Sequence, residues 1–443
     1  MDSDWEEFTF EQLKSSAKSA FAMGPFGSRI KAENFVMFGV PVIKGGNLNG
    51  NFINENEFDY LTDEKANELS SSVAIKGDIV ITHRGTIGQV GIIPAWSKFD
   101  KYIVSQSQLK LSFNRTKVNP YFIYYYLRSP LGQKALLANT SQVGVPAIAQ
   151  ALTSIRNITV SLPKKDHQDE IVEFLLNIDK KILLNQCMND TLEGIAQALF
   201  KSWFVDFDPV KAKAEGREPD GMDSAIADLF PSSFIESPLG LIPQGWEVKG
   251  LDEIATFLNG LALQKYPTLD PENYLPVIKI SQLRSGNTEG ADKASTDVPP
   301  DYIITDGDIL FSWSGSLEVE IWCGGRGALN QHLFKVSSKD FPKWFYFLWT
   351  RQHLDNFQKI AEGKATTMGH IQRKHLSEAK VICPPVRVIQ GVNEIMETLL
   401  EKSVQLKLEN RIIANLRDLL LPRLISGELP VGEISETVEA VAS

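Results

Sequence analysis

The chain contains few of the residues and none of the short motifs from which common enzyme sites are built. Its three cysteines, Cys187, Cys323 and Cys383, lie too far apart for a metal-binding motif or a disulfide framework. The six histidines show no paired spacing that would hold a metal ion. Neither a phosphate-binding GxxxxGK(S/T) loop nor a serine nucleophile elbow occurs. We therefore expect no catalytic residues and no metal site in this chain.

Long apolar runs are also missing. No run approaches the roughly 20 residues that a membrane-spanning helix needs. The acidic start, residues 1–5, lacks the basic residues and the apolar stretch of a signal peptide. We expect a cytoplasmic protein that makes no contact with membranes. A length of 443 residues allows two or three domains with separate cores.

The net charge of −10 is unevenly distributed. Residues 1–165 carry 18 basic and 14 acidic side chains, whereas residues 166–210 carry 3 basic and 9 acidic ones. Residues 101–165 contain nine basic residues and no acidic one. Such a stretch suits a surface that faces phosphates, and Lys110, Lys117, Arg128 and Lys134 are its candidates. The alternative is that acidic residues from elsewhere in the fold neutralise it.

The strongest signal is an internal repeat, which indicates two copies of one domain. The copies correspond, in unbroken order, at 5–13 and 246–254, 40–44 and 275–279, 77–80 and 307–310, 105–110 and 330–335, and 120–124 and 342–346. Within each copy, short β-rich runs such as 77–81 and 303–312 alternate with glycine-rich loops. The aromatic runs 121–126 and 344–349 follow prolines, and we expect buried helices there rather than platforms for stacked bases.

After each copy, apolar residues recur at alternating steps of four and three, which is the heptad pattern of a coiled coil. The two seams comprise Ile171, Leu175, Ile178, Ile182, Asn189, Leu192 and Leu199 in the first helix, and Met396, Leu399, Leu406, Asn410, Ile413 and Leu420 in the second. Each helix would run for 35–40 residues. Asn189 and Asn410 hold equivalent positions in the two seams, so antiparallel helices would bring their amides together. An equally supported alternative is that both amides face solvent.

These patterns predict an α+β chain of two duplicated α/β recognition domains, separated by two long antiparallel helices that form a coiled coil with pseudo-two-fold symmetry. The proposed boundaries are 1–163 for the first domain, 164–205 for the first helix, 206–245 for a linker, 246–384 for the second domain, 385–427 for the second helix and 428–443 for a tail. The linker is marked by its many prolines and glycines.

Five segments carry a resemblance to a known family. They are residues 199–210 (LFKSWFVDFDPV), 242–246 (IPQGW), 307–316 (GDILFSWSGS), 329–335 (LNQHLFK) and 420–429 (LLPRLISGEL). In order, spacing and duplication the chain resembles the specificity subunit of type I restriction-modification enzymes along nearly its whole length. The first-domain loops depart more from the pattern, although residues 82–88 fit it.

The resemblance implies a non-catalytic subunit that reads double-stranded DNA. Two target-recognition domains would each read one half of a bipartite sequence, and the helices would set the unread spacer. In that family, two modification (methyltransferase) subunits methylate adenine, and restriction subunits add translocation and cleavage. S-adenosylmethionine, ATP and Mg are then cofactors of those partners and not of this chain.

Major-groove readout needs side chains that donate or accept hydrogen bonds in pairs, so polar loop residues are the candidates. In the first domain they are Lys44, Asn47, Arg84, Thr86, Gln106 and Gln142. In the second they are Lys279, Gln282, Arg284, Ser314, Gln331, Lys364, Thr366, Thr367, His370 and Arg373. For each of them, a turn or capping role is the alternative.

Two other functions fit parts of the pattern. A stand-alone sequence-specific DNA-binding protein would bind its site tightly without any partner. A coiled-coil scaffold for proteins would bind without regard to DNA or salt, whereas phosphate contacts give a steep salt dependence.

Overall fold

The structure, a computed structural model, describes residues 5–141, 144–268, 270, 272–363 and 369–432. The described chain divides into two compact units. Residues up to 182 and those from 413 onward form the first unit, and residues 183–412 form the second. Each unit therefore contains one recognition domain and a part of both long helices.

The first unit contains short strands. They are β1 (Glu6–Thr9), β2 (Phe21–Met23), β3 (Phe35–Val36), β4 (Val40–Ile43), β5 (Asp59–Leu61), β6 (Val73–Ala74), β7 (Ile79–Thr82), β8 (Val90–Ile92), β9 (Tyr102–Val104), β10 (Gln108–Leu111), β11 (Thr140–Ser141), β12 (Ala147–Ile148) and β13 (Thr159–Leu162). Of these strands, β4, β7, β8, β9 and β10 are buried throughout. One sheet has the order β2-β10-β7-β8 and another the order β3-β5-β4-β9-β6. In the second sheet β4 runs parallel to β9.

Four of the five short helices that the structure describes in the first unit begin after a Ser, Thr or Asn whose side chain caps the helix. The five helices are α1 (Phe10–Leu13), α2 (Asp63–Glu68), α3 (Pro120–Arg128), α4 (Pro130–Leu136) and α5 (Ala151–Arg156), of which α5 is the exception. Asn119 caps α3 by accepting from the N–H of Tyr121 at 3.0 Å, and Pro120 takes the first helical position. The aromatic side chains of α3 are almost fully buried, as Phe122 and Tyr124 show at 0% exposure. The aromatic run is thus core, and no base can stack on it.

The second unit repeats this topology. Its strands are β14 (Phe234–Ser237), β15 (Gly240–Pro243), β16 (Glu247–Gly250), β17 (Thr256–Asn259), β18 (Leu275–Ile278), β19 (Lys293–Ala294), β20 (Ile303–Ile304), β21 (Ile309–Ser312), β22 (Val319–Ile321), β23 (Gly327–Leu329), β24 (Leu333–Ser337) and β25 (Lys380–Cys383). The sheet β17-β24-β21-β22 matches β2-β10-β7-β8, and the parallel pair of β18 and β23 matches β4 and β9. The strand pair β16-β25 likewise matches β1-β13. The prediction of two α/β copies is confirmed.

The second-unit helices follow the same plan. They are α7 (Asp208–Ala214), α8 (Ser224–Ala227), α9 (Leu251–Ile254), α10 (Ile280–Ser285), α11 (Lys343–Gln352), α12 (Leu354–Glu362) and α13 (Arg373–Glu378). The aromatic helix α11 is buried like α3, and Phe345 at 0% exposure shows this.

The segment predicted as a linker, residues 206–245, is well structured. It contains α7, α8 and the hairpin of β14 and β15. Its residues Phe207, Val210 and Phe230 belong to the same buried cluster as Trp246 of the second domain. Burial of these apolar side chains therefore fixes the segment onto the second domain, which a reading of its prolines and glycines did not predict.

The two long helices are α6 (Lys165–Phe200) and α14 (Val386–Ile425), of 36 and 40 residues. A π-helical turn, Lys201–Val205, continues α6. Beyond α14, Gly427 has a φ of 74°, and a Cβ on it would lie 2.7 Å from the indole of Trp5. This glycine is needed both for the left-handed backbone and for the close approach.

Contacts inside each unit show that α6 and α14 run antiparallel. In the second unit Asn185 meets Asn410, while Glu193 meets Lys407 and Ser403, so higher numbers on one helix face lower numbers on the other. The predicted long antiparallel helices are therefore confirmed. No helix among the described residues is both long and apolar enough to cross a bilayer.

Candidate nucleic-acid interface

In the first unit, four loops gather at one end of the two main sheets. Three of these segments leave the ends of strands β4, β7 and β9, and the fourth leads into α5. Because β4 and β9 are parallel neighbours, their C-terminal ends lie at the same sheet edge. We call the four segments, residues 44–49, 83–89, 105–107 and 144–150, the first loop cluster.

Backbone hydrogen bonds hold the first loop cluster together. The N–H of His83 donates to Ser107 O at 3.0 Å, and His83 O accepts from Ile148 N at 2.9 Å. The N–H of Gly85 donates to Pro146 O at 2.9 Å. The loop after β7 is thus fixed between two neighbours, and its side chains project from a rigid base.

The structure brings four predicted residues with exposed side chains to this cluster: Lys44, Arg84, Thr86 and Gln106. Lys44 forms an ion pair with Asp59. The guanidinium of Arg84 has no hydrogen-bond or ion-pair partner among the described residues, so its donors are available to a ligand. The predicted Gln142 lies outside the described residues.

Asn47 corrects the sequence prediction. Its side chain is only 7% exposed. Its Oδ1 accepts from Lys44 N at 2.9 Å, and its Nδ2 donates to Asn54 O at 3.0 Å and Glu57 O at 2.8 Å. Since both ends of the amide are used inside the loop, Asn47 shapes the loop and offers no free edge to a base.

The second unit has an equivalent arrangement, the second loop cluster, made of residues 279–286, 313–317, 330–332 and 369–372. The N–H of Trp313 donates to His332 O at 3.3 Å, and Trp313 O accepts from Ile371 N at 3.0 Å. The N–H of Gly315 donates to Gly369 O at 2.9 Å. These three bonds correspond one by one to those of the first loop cluster, so the duplication extends to the loops.

Five of the predicted second-domain residues are exposed or half-buried at or beside this cluster: Lys279, Arg284, Gln331, His370 and Arg373. Arg284 pairs with Glu318 at 2.7 Å, and Lys279 pairs with Asp292. Arg373 is exposed and, like Arg84, has no partner among the described residues, although the repeat places Ser314 and not Arg373 at the position of Arg84. The predicted Lys364, Thr366 and Thr367 lie outside the described part of the chain.

Gln282 and Ser314 are buried and correct the prediction in the same way as Asn47. They are 7% and 3% exposed. Ser314 Oγ lies 2.9 Å from His332 Nδ1, and the amide oxygen of Gln282 accepts from Ser281 Oγ at 2.9 Å. Both side chains stabilise the loops from within.

Sequence reasoning missed Gln150. This exposed residue has a left-handed backbone, with φ of 46° and ψ of 50°, and lines an open cleft with Arg84. A non-glycine residue in this conformation is uncommon and directs its side chain away from the path of a regular turn. The repeat offered a signal, because Gln372 opens the corresponding helix α13 of the second copy.

Most basic residues of the stretch 101–165 have partners within the first unit. Seven of its nine basic residues have a carboxylate or backbone carbonyl partner in the same unit: Lys101, Lys110, Arg115, Lys117, Arg128, Arg156 and Lys165. Lys110 is 7% exposed, and burial lowers the pKa of its ammonium. Acceptors elsewhere in the fold therefore neutralise much of the stretch, which is the alternative that the sequence left open. Lys110 is buried with its ammonium on Val73 O, whereas the phosphate contacts of Lys117, Arg128 and Lys134 stay predictions.

The exposed side chains of both loop clusters are suited to forming hydrogen bonds with a ligand. Arginine, glutamine and threonine side chains are the types that recognise base edges in the major groove. Burial lowers the pKa of His83, which keeps the ring neutral beside the carbonyl of Gln106 at 3.2 Å. Among the described residues there is no group of three or more side chains that could hold a metal ion.

The helix pair is the second functional feature. All thirteen predicted seam residues are buried or half-buried. The predicted contact between Asn189 and Asn410 is wrong, because Asn410 Oδ1 accepts from Asn185 Nδ2 at 2.9 Å. Asn189 donates instead to Glu193 on its own helix, at 3.2 Å. The paired amides are therefore present, one helical turn from the predicted position.

Apolar side chains also lie on the outer surface of the helices. On α6 of the second unit, Leu184, Met188 and Ile195 are 55%, 39% and 44% exposed. On α14 of the first unit, Leu416 and Leu419 are 47% and 72% exposed. Their steps of three, four and seven residues place them on one side of each helix, in positions suited to a further helix.

Comparison with known proteins supports this picture. The family model for the type I restriction modification DNA specificity domain matches residues 3–194 and 243–417, so it covers both copies of the repeat. The type I restriction enzyme HindI specificity subunit of Haemophilus influenzae is 25% identical over 379 residues, which cover 74% of this chain and 82% of that protein. The MjaIX specificity subunit of Methanocaldococcus jannaschii is 24% identical over 382 residues, covering 84% of this chain and 82% of that protein.

A solved structure shares the fold. The S subunit of a type I restriction-modification system from M. genitalium aligns with a TM-score of 0.54 and 14% sequence identity. The alignment covers 96% of this chain and 97% of that one.

Proposed function

We propose, because this chain belongs to the type I restriction modification DNA specificity family, that each of its two recognition domains reads one half of a bipartite DNA sequence. The chain is a DNA specificity subunit with two recognition domains. The observation that carries the proposal is the duplication of the loop clusters. The same three backbone bonds hold the loops in both units, while the projecting side chains differ.

Different side chains on one scaffold suit different half-sites. Arg84 and Gln150 project from the first loop cluster, and Arg373 is exposed directly after the second, at the start of α13. A guanidinium can donate two hydrogen bonds to the O6 and N7 of guanine, and an amide can pair with the N6 and N7 of adenine. Phosphate contacts would add affinity without sequence information.

The helix pair would set the unread spacer between the half-sites. Its buried seam and paired amides give it a defined register. A stiff spacer lets both domains engage one duplex only when the half-sites lie at a matching separation.

The outer apolar side chains of the helices would bind two modification subunits. Leu184, Met188 and Ile195 offer one surface, and Leu416 and Leu419 offer another. The acidic charge of residues 166–210 suits a protein partner better than DNA. In the resulting complex, the modification subunits would supply S-adenosylmethionine and methylate adenine. Restriction subunits would use ATP and Mg, and this chain would contribute recognition without catalysis.

Mapping of methylated adenines tests the recognition role. The chain is expressed with its cognate modification subunits in a host that lacks adenine methylation, and the genome is sequenced for modified bases. We expect one bipartite motif with a constant spacer, and none when this chain is omitted. Methylation without a bipartite motif would contradict the proposal.

The docking surface is tested separately. The double substitution of Leu184→Ser and Met188→Ser should weaken capture of the modification subunit, whereas Gln186→Ser, a change of an exposed and uncharged residue on the same helix, should not. Binding is measured by calorimetry with the purified full chain. Equal affinity for all three proteins would exclude this surface.

A further inference from the structure

Asp179, on helix α6 of the first unit, is a carboxylate with no exposed surface. Its Oδ1 accepts from Arg417 Nη1 on α14 at 2.6 Å and from Asn51 Nδ2 at 3.0 Å. Its Oδ2 accepts from Tyr125 Oη on the aromatic helix α3 at 2.8 Å. One side chain thus joins the helix pair to two separate elements of the first recognition domain.

The contacts continue toward the first loop cluster. Asn51 lies two residues beyond it, and its Oδ1 accepts from Arg128 Nη2 at 3.2 Å. Its backbone oxygen accepts from the Arg128 guanidinium at 3.3 Å and from the hydroxyl of Tyr124. Asn49, inside the cluster, accepts from Gln89 Nε2 at 2.6 Å. Polar contacts therefore link Asp179 to Asn51, and the backbone continues from Asn51 through Gly50 into a loop that carries exposed candidate readers.

The protonation states make these contacts strong. Burial and the Asp179 carboxylate both raise the pKa of Tyr125, so its hydroxyl remains a donor. Burial would lower the pKa of Arg417, but Asp179 and the neighbouring Asp418 together outweigh it and hold that pKa above its ordinary value. The negative charge of the buried Asp179 carboxylate therefore strengthens each of the three hydrogen bonds that it accepts.

Stability alone does not account for such a cluster. Removal of two charges from water is costly, and well-packed apolar residues at the same positions are often equally or more stabilising. Hydrogen bonds differ from apolar contacts in being directional, because they weaken steeply away from a narrow angle. The distinctive effect of Asp179 is therefore on orientation.

In the second unit the corresponding links are more open to water. Glu193 of α6 contacts Arg351 of the aromatic helix α11 at 3.0 Å and Lys407 of α14 at 2.9 Å. These side chains are 21%, 26% and 27% exposed, whereas Asp179 is completely buried. The more rigid attachment is that of the first recognition domain.

We propose that Asp179 is a positioning residue, which with Arg417, Asn51 and Tyr125 locks the orientation of the first recognition domain on the helix pair. The lock thereby determines how strictly the complex selects the spacer between half-sites. The effect on spacer selection depends on the proposed function, whereas the fixed orientation of the first recognition domain does not.

The test replaces the polar pair by apolar residues, with Asp179→Leu and Arg417→Leu in one full-length chain. Asp179→Asn is a second variant, which keeps the shape and removes the charge. Glu173→Gln, an exposed change on the same helix, is the control. Circular dichroism and binding of modification subunits verify that each protein is folded.

The first readout is hydrogen exchange in residues 44–53 of the free chain. We expect exchange to accelerate by at least about tenfold in the double variant, the factor that the loss of one hydrogen bond to a charged group brings. The control should match the wild type. Unchanged exchange in the folded double variant, or in Asp179→Asn if the double variant does not fold, would overturn the lock.

The second readout is adenine methylation by the complete methyltransferase on duplexes with fixed half-sites and spacers altered by one or two base pairs. We expect the wild type and the control to prefer one spacer. The double variant should keep both half-sites and lose at least about tenfold of that preference, since its directional bonds are gone. An unchanged preference would overturn the link to spacer selection. If the wild type methylated no bipartite duplex, the proposed function would fail, and the exchange result would still decide whether the lock exists.

Discussion

Substitution of Glu193 by glutamine probes the helix contacts of the second unit. Glu193 Oε2 accepts from Arg351 Nη1 at 3.0 Å, and its Oε1 accepts from Lys407 Nζ at 2.9 Å and Asn189 Nδ2 at 3.2 Å. Burial would raise the pKa of Glu193, but Lys407 and Arg351 outweigh it and hold the pKa below its ordinary value. Glu193→Gln removes the charge and leaves two cations without their shared anion.

The magnitude follows from the burial of the group. Removal of one partner from a fully buried ion pair costs about 3–5 kcal/mol. Since the side chain of Glu193 is 21% exposed, water screens part of this interaction. The remaining NH₂ group would also face Lys407 or Arg351. We therefore expect a loss of about 2 kcal/mol in local stability.

Hydrogen exchange followed by peptide mass spectrometry is the suitable assay, because a chain with two units need not unfold in a single step. A loss of about 2 kcal/mol accelerates exchange by about 30-fold. The effect is expected in peptides that cover residues 186–200 and 400–410 at neutral pH. Glu401→Gln is the control, because that side chain is exposed on α14 and has no partner among the described residues.

The pH dependence gives a second signature. A carboxyl with a lowered folded-state pKa stabilises the fold above its unfolded pKa, here 4.5, and the stabilisation is lost as the pH falls through the folded-state value. The wild type and Glu193→Gln should therefore converge as the pH falls below 4.5 and through the lowered folded-state pKa of Glu193. Exchange rates within about threefold of each other at pH 7, or a difference that persists in acid, would refute this reasoning.

Three further substitutions have defined outcomes. Gly427→Ala should lower the free energy of unfolding by about 2–3 kcal/mol, because alanine is strained in the left-handed backbone and its Cβ would displace Trp5. A fall in Tm of less than about 2 °C would contradict this expectation. Asn47→Ala should destabilise the first loop cluster by about 1–3 kcal/mol, seen as faster exchange in residues 44–57. Arg84→Ala should cost about 1–3 kcal/mol in binding of the preferred sequence and relax selection at one base pair of one half-site only. A uniform loss over all sequences in a binding-selection experiment would instead make Arg84 a phosphate contact.

The features predictable from the sequence are those that repeat. The two domains, the buried aromatic helices and the heptad seam follow from periodicity, because a core imposes the same pattern wherever the same packing recurs. The loop clusters were predictable in position, since Arg84 and Gln106 follow strand ends in the same order as Ser314 and Gln331.

The features that depend on pairing between distant residues were not predictable. The burial of Asp179 against Arg417 and the contact of Asn185 with Asn410 require the register of two helices, which neither helix contains alone. The partners of the basic stretch 101–165 were not predictable for the same reason, because they come from other segments. The sequence likewise did not show that the side-chain amide of Asn47 donates its hydrogen bonds to nearby backbone oxygens.

Lengthening both long helices together tests most directly whether they set the spacing between half-sites. One heptad is inserted in α6 between Asp179 and Asn185, and another in α14 between Asn410 and Arg417, so that the contacts within each unit are kept. Seven residues add about 10 Å to a helix, which corresponds to about three base pairs of DNA. Methylated adenines in cells that express the lengthened chain should show both original half-sites with a spacer longer by up to about three base pairs. An unchanged spacer, or altered half-sites, would contradict the division of reading and spacing between domains and helices.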